Sequence, residues 1–245
     1  MILILGSTHD DILYFENVMV NRKEEIIFEK YKASIGTIFN QEVIVVYDLF
    51  TCYESSLIAS YIIEKYFVIL AFCVGKCIAF SENLKSGDIA ISRRVLIGDV
   101  NQIKEANVRL GQIPKFPHSF ETDSEIVKYL TTSLEKRSYS TYASCAFVSS
   151  NVILDSKVRI QNIEMNGYVL GHNRNVVCDC TAGGVAIAGH LHKVPVIVIK
   201  VIERNLDQEY TTEAYLNVLK HYSDIGKAIV TCIGDIGRND IIMGE

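Results

Sequence analysis

Polar residues that follow directly on apolar runs mark where this chain could do chemistry, because a ligand on an α/β sheet collects outside the strand ends. The first run ends in Gly6-Ser7-Thr8-His9-Asp10-Asp11, a glycine and two carboxylates at a helix start. Those acids could work as a base, or they could simply cap the helix together with Thr8. Tyr66–Val74 is followed by Gly75-Lys76-Cys77, where one glycine would let backbone approach an anion and Lys76 reads equally well as a solvated end. Phe147 and Val148 precede Ser149-Ser150-Asn151 at a strand end, where an aromatic ring could stack on a base or pack in the core. Cys178-Asp179-Cys180-Thr181 has two thiols at close spacing, but structural zinc wants four donors and His190 and His192 lie a helix length away. No metal or cofactor is assigned there, and Thr181 reads as a helix cap. Glu203-Arg204-Asn205 closes the last apolar run, either as site residues or as a surface ion pair.

Such side chains need a sheet to hold them, and the pattern supplies one. Short β-branched runs predict strands at Ile2–Leu5, Glu25–Tyr31, Glu42–Tyr47, Phe67–Cys73, Asp88–Ser92, Tyr142–Val148, Val176–Asp179 and Val196–Val201. Amphipathic stretches predict helices at Asp10–Val20, Ser55–Lys65, Ser124–Glu135, Ala182–His192 and Thr212–Thr231. Two of the strands are apolar on both faces, as central strands covered by helices are. The expectation is a single domain over residues 1–245, a three-layer α/β/α sandwich with a mixed central sheet.

The chain has 245 residues, 49% of them apolar, enough for a sizeable core. Its longest apolar run is about half of the ~20 residues that a membrane-spanning helix needs, and its start carries no basic leader, so a cytoplasmic protein is expected. Seven cysteines, several within apolar patterns, point to reduced thiols. A net charge of −5 with scattered basic residues leaves no electrostatic footprint for nucleic acid.

Two longer motifs carry a family likeness. Leu84-Lys85-Ser86-Gly87-Asp88-Ile89-Ala90-Ile91-Ser92 and Gly111-Gln112-Ile113-Pro114-Lys115-Phe116-Pro117-His118-Ser119-Phe120 resemble the L-K-x-G-D-I-V-x-S and G-Q-[LI]-P-x-x-P-x-x-F segments of the 5'-methylthioadenosine/S-adenosylhomocysteine nucleosidases. These belong to the nucleoside phosphorylase superfamily, and the likeness runs over nearly the whole chain. It implies hydrolysis of the bond between adenine and a 5'-thio-ribose, no cofactor, an adenine nucleoside as ligand and a homodimer. The chemistry asks for a carboxylate that activates water, an acid that protonates the leaving base, and a glutamate that holds the ribose hydroxyls.

Carried over by position, the water-activating glutamate falls on Asp11, shorter by one methylene, on the order of 1.5 Å. The family's E-M-E motif falls on Asp179, Cys180 and Thr181, so the ribose-binding glutamate becomes a threonine. Its R-A-x-S-D motif falls on Lys200 to Arg204, with Glu203 on the serine and Arg204 on the proton-donating aspartate. A guanidinium with a pKa above ~12 is no practical acid. Phe147 and Val148 fall on the base-stacking and base-contacting positions. The glycine loops are eroded to Ala71–Cys77, which keeps Gly75, and Asp48–Thr51, and Phe50, Phe72 and Val74 are expected to intrude on the ligand space. Two functions follow. One is an active nucleosidase with Asp11 as base and Glu203 as acid. The other is a non-catalytic homologue that binds an adenine nucleoside or a protein partner.

Overall fold

The structure, a computed structural model, describes residues 1–137, 139–152 and 175–237. In chain order its elements are β1 (Ile2–Leu5), α1 (His9–Val18), β2 (Val20–Ile27), β3 (Tyr31–Ile38), β4 (Gln41–Val46), α2 (Cys52–Tyr66), β5 (Leu70–Ala79), β6 (Ile89–Ile97), α3 (Ile103–Ala106), β7 (Phe120–Glu121), α4 (Ser124–Glu135), β8 (Thr141–Ser149), β9 (Val176–Asp179), α5 (Ala182–His192), β10 (Val196–Asn205) and α6 (Thr212–Gly237).

The strands form one mixed sheet, as the sequence predicts, but half of it closes on itself. β10 bonds β5 in parallel and β6 antiparallel, β6 continues to β8, β8 to β9, and β9 returns to β5. From β5 the sheet opens outward through β1, β4, β3 and β2. Ala71, Cys73, Cys77, Ala79, Ala90 and Cys145 of the closed half share one core with larger residues of the same strands, among them Val95, Phe147, Val177 and Val198. Pairing between sequentially distant strands leaves no mark on local spacing, so the closure is not legible from the pattern alone.

Two layers of helices cover the sheet. Helices α2 and α5 lie on one face over Leu3, Leu5, Ala71 and Cys73. Helices α1, α4 and α6 lie on the other over Ile2, Ile4, Phe72 and Val74. The pair α2 and α5 is packed so closely that a Cβ on Gly184 would sit 2.1 Å from the carbonyl oxygen of Cys52.

The pattern placed a strand at Glu25–Tyr31, where the structure has the turn between β2 and β3. That turn is made by Phe28 and Glu29 with φ of 50° and 55°. Such a left-handed turn normally announces itself through Asn-Gly or Asp-Gly, and here no such residue is present to mark it. Strand β5 begins three residues later than expected because α2 runs on to Tyr66 and ends on Phe67 in the left-handed conformation. No helix among the described residues is long and apolar enough to cross a membrane.

Candidate functional site

Asp11 sits one turn into α1 and is 3% exposed. Its Oδ2 accepts from the backbone N–H of Ser7 at 2.7 Å and of Thr8 at 2.9 Å, and its Oδ1 accepts from the Thr8 hydroxyl at 3.0 Å. Tyr222 of α6 lies beside the same carboxylate. The three hydrogen bonds fill most of the roughly four lone-pair positions that a carboxylate offers. Burial pushes the Asp11 pKa above the ordinary carboxylate value, against the pull of Tyr222, of Thr8 and of the Lys200 charge. Thr8 and Asp11 together form a capping box, so the cap expected of Asp10 is carried by its neighbour.

Gly75 faces this carboxylate from β5. Its φ is +137°, and a Cβ there would lie 3.0 Å from Asp11 Oδ2. Only glycine permits both the conformation and the contact.

Across β5, Lys200 is the cation of the buried cluster. Gly75 and Lys200 are register partners on β5 and β10. The Lys200 ammonium donates to Asp179 Oδ2 at 2.5 Å and to the Thr181 hydroxyl at 2.7 Å. The side chains of Lys200 and Asp179 are each 1% exposed. Asp179 also accepts from the backbone N–H of Ala182 at 2.8 Å and of Thr181 at 3.2 Å at the start of α5. Burial would raise the Asp179 pKa, but the charge and hydrogen bond of Lys200 outweigh it and hold the group below the usual carboxylate range. Burial likewise opposes the Lys200 charge, and Asp179 more than restores it. Thr181 therefore spends its hydroxyl on the ion pair, and Cys73 Sγ lies 3.7 Å from it on the other side.

The third group lies where β10 leaves the ring. Ile202 pairs with Cys77 and Arg204 pairs with Ile78, which leaves Glu203 as the extra residue of a β-bulge. The bulge turns Glu203 inward, 5% exposed, onto the ammonium of Lys76. Arg204 turns away and donates to the Gln208 carbonyl at 2.7 Å. So the inward residue at the strand end is Glu203, and the position expected to hold the proton donor faces the following turn. Tyr222 lies near two of these groups, and its pKa is raised by burial and then by the negative charges of Asp11 and Glu203.

Other expected site residues lie elsewhere. Phe147 and Val148 were expected at a strand end, but β8 continues through both to Ser149, bonded to β6 and β9. Both are 0% exposed and pack in the core, so neither presents a face to a ligand. Phe72 and Val74 were expected to intrude on the ligand space. They instead point into the layer under α1 and α6, because alternation along β5 sends Cys73 and Gly75 the other way. Phe50 is 57% exposed, beside the cap of α2. Cys180 is half-buried, and among the described residues no three His, Cys, Asp or Glu side chains lie together as a metal would require. A cleft of about 610 Å³ lined by Pro117, Phe120, His190 and Pro195 contains none of these buried charges.

Sequence reasoning missed Tyr215, Tyr222 and the pairing of Lys76. The signal for the tyrosines was available: a spacing of seven places both on one face of α6. Lys76 gave none, because a lone lysine after an apolar strand reads as solvated.

The sequence model of the phosphorylase superfamily matches residues 2–233. The 5'-methylthioadenosine/S-adenosylhomocysteine nucleosidase of Staphylococcus haemolyticus is 28% identical over 140 residues, 57% of this chain and 60% of that relative. The Listeria monocytogenes (strain EGD-e) protein of the same name is 23% identical over 209 residues, 85% of this chain and 88% of that one. Among solved structures, the nucleosidase of Campylobacter jejuni superposes with a TM-score of 0.84 at 15% identity, covering 96% of this chain and 98% of that one. The Neisseria meningitidis enzyme, in complex with methylthio-immucillin-A, gives 0.82 at 16% identity, over 96% and 98%. At such identities the structures speak for the fold, while the family match covers nearly all of the sequence. The chain belongs to the phosphorylase superfamily, within which it is similar to the 5'-methylthioadenosine/S-adenosylhomocysteine nucleosidases.

Proposed function

We propose that this chain is a nucleosidase-family protein that takes an adenine nucleoside without hydrolysing it at an enzyme's pace. The observation that carries the reading is that each buried carboxylate of the site is committed to an internal partner: Asp11 to the start of α1, Asp179 to Lys200, Glu203 to Lys76. Hydrolysis of an N-glycosidic bond needs a carboxylate with a free lone pair for water and an acid that can release a proton to the leaving base. Asp11 spends three of its roughly four lone-pair positions on the start of α1. Glu203 is held by the Lys76 ammonium and does not stand free toward a leaving base. Thr181 brings no negative charge to the ribose as positive charge develops at its anomeric carbon. Loss of general acid catalysis alone removes about 10²–10⁴ of rate.

The ligand class follows from the relatives, which are named for methylthioadenosine and adenosylhomocysteine, and one of which is solved with methylthio-immucillin-A. Isothermal titration of methylthioadenosine, with adenine and guanosine alongside, tests it. Saturable heat with methylthioadenosine and none with guanosine is expected. Equal behaviour of all three ligands would remove the nucleoside reading.

One observation favours a second reading, residual hydrolysis. The bulge at Glu203 brings a second carboxylate into the same buried cluster as Asp11. On that reading Glu203 must exchange Lys76 for a proton, and Asp11→Asn and Glu203→Gln would each abolish turnover.

A further inference from the structure

The bulge has a second effect, on Lys76. The Lys76 ammonium lies 5.5 Å from the ring centroid of Tyr210 and 5.2 Å from that of Tyr215, with the Glu203 carboxylate as its ion-pair partner. Both distances fall within the ~6 Å over which an aromatic face attracts a cation. Two aromatic faces and one carboxylate around a single ammonium are the chemistry by which proteins recognise organic cations.

The enclosure is assembled from four parts of the chain. Lys76 comes from β5 and Glu203 from the bulge of β10. Tyr210 comes from the segment after that strand, and Tyr215 from the first turn of α6. Tyr215 is fixed from behind, since its hydroxyl donates to Asp10 Oδ2 at 2.6 Å. That bond pushes the Tyr215 pKa up to about 12. The Lys76 side chain is 33% exposed, so the enclosure is open on one side. Lysine is depleted in strands, so packing on the pleat does not explain its side chain here. What its ammonium does here is fill a site.

We propose that Glu203, Tyr210 and Tyr215 form a binding site for an organic cation of the alkylammonium type, which Lys76 occupies as a tethered ligand. The site adjoins Gly75 and Asp11. If the cluster takes an adenine nucleoside, as proposed above, the natural occupant is a cationic substituent of that nucleoside, and Lys76 must swing aside to admit it.

The test separates the two ideas by using no nucleoside. Lys76→Ala removes the tethered ammonium and leaves the enclosure empty. Its melting temperature is expected to fall, and ethylammonium chloride is expected to restore it saturably, beyond potassium chloride at equal ionic strength. In Lys76→Ala/Tyr215→Leu the concentration for half-recovery should rise at least tenfold. Recovery no greater than with potassium chloride, or equal recovery in the double variant, would overturn the site. A second measurement covers the case in which Lys76→Ala does not fold. Tyr210 is exposed, so Tyr210→Leu leaves the core untouched, and reductive methylation of Lys76 followed by mass spectrometry should then run several-fold faster than in the parent chain. An unchanged methylation rate would show that the rings do not hold the ammonium.

Discussion

Lys200 is the residue on which the buried cluster depends. A lysine with 1% of its side chain exposed survives only because Asp179 and Thr181 surround its ammonium. Replacing Lys200 with methionine keeps most of the volume but leaves Asp179 as an uncompensated buried charge. Urea denaturation should register a loss of ~3–5 kcal/mol. The double variant Lys200→Met/Asp179→Leu should recover at least half of it, because the cost lies in the stranded charge. The pH dependence has a definite sign. Asp179 is lowered in the fold, so its contribution is present above the unfolded carboxylate value near ~3.9 and is lost as pH falls through its folded value. Lys200 is raised, so its contribution is present below ~10.4 and is lost only as pH rises through its folded value. Asp11 has the opposite sign to Asp179. Its pKa is raised, so its contribution is fully present below ~3.9 and declines as pH rises through its folded value. Between pH 4 and pH 7 the stability of Asp11→Asn relative to the parent should therefore improve with rising pH. A constant difference across that window would mean that Asp11 is not raised in the fold.

At the scale of elements, two local irregularities place the site: the glycine of β5 and the bulge of β10. Gly75→Ala forces a side chain into a positive-φ position and against Asp11 Oδ2, and should cost ~1–3 kcal/mol in the same denaturation assay. Gly184→Ala should be at least as costly, since its new Cβ meets backbone of α2 that cannot yield. Both effects would be visible as lowered melting temperatures. The same elements show what the sequence could tell. The span Ala182–His192 is found as expected and ends on a left-handed Lys193, but the side chain expected of Thr181 as its cap bonds Lys200 instead, and Asp179 takes the backbone N–H of Ala182. Val176–Asp179 is found as expected too, because a short apolar run between polar residues has no alternative. The bulge at Glu203 was hidden, because alternation along an apolar strand predicts an unbroken register and only pairing with β5 reveals the extra residue.

For the whole molecule, composition and pattern were enough to read the layers and the mixed sheet, because burial on both faces leaves near-continuous apolar runs at Leu70–Val74 and Val196–Ile199. Closure of half the sheet was not readable, and it is closure that brings Asp179, from β9, against Lys200, from β10. Of the positions to which the family likeness pointed, the fold gathers Asp11, Asp179, Thr181 and Glu203 inward and leaves Phe147 and Val148 in the core. Asp11 serves the helix start, Glu203 takes the inward place expected of Arg204, and Thr181, expected at the ribose, bonds the Lys200 ammonium. The account stands or falls on whether the folded chain releases adenine. The direct measurement is adenine liberated from saturating methylthioadenosine by the purified protein and by Asp11→Asn, followed by chromatography over hours against a protein-free control. The account predicts that all three traces coincide. Steady release by the parent chain that Asp11→Asn abolishes would show that Asp11 still activates water, and would contradict it.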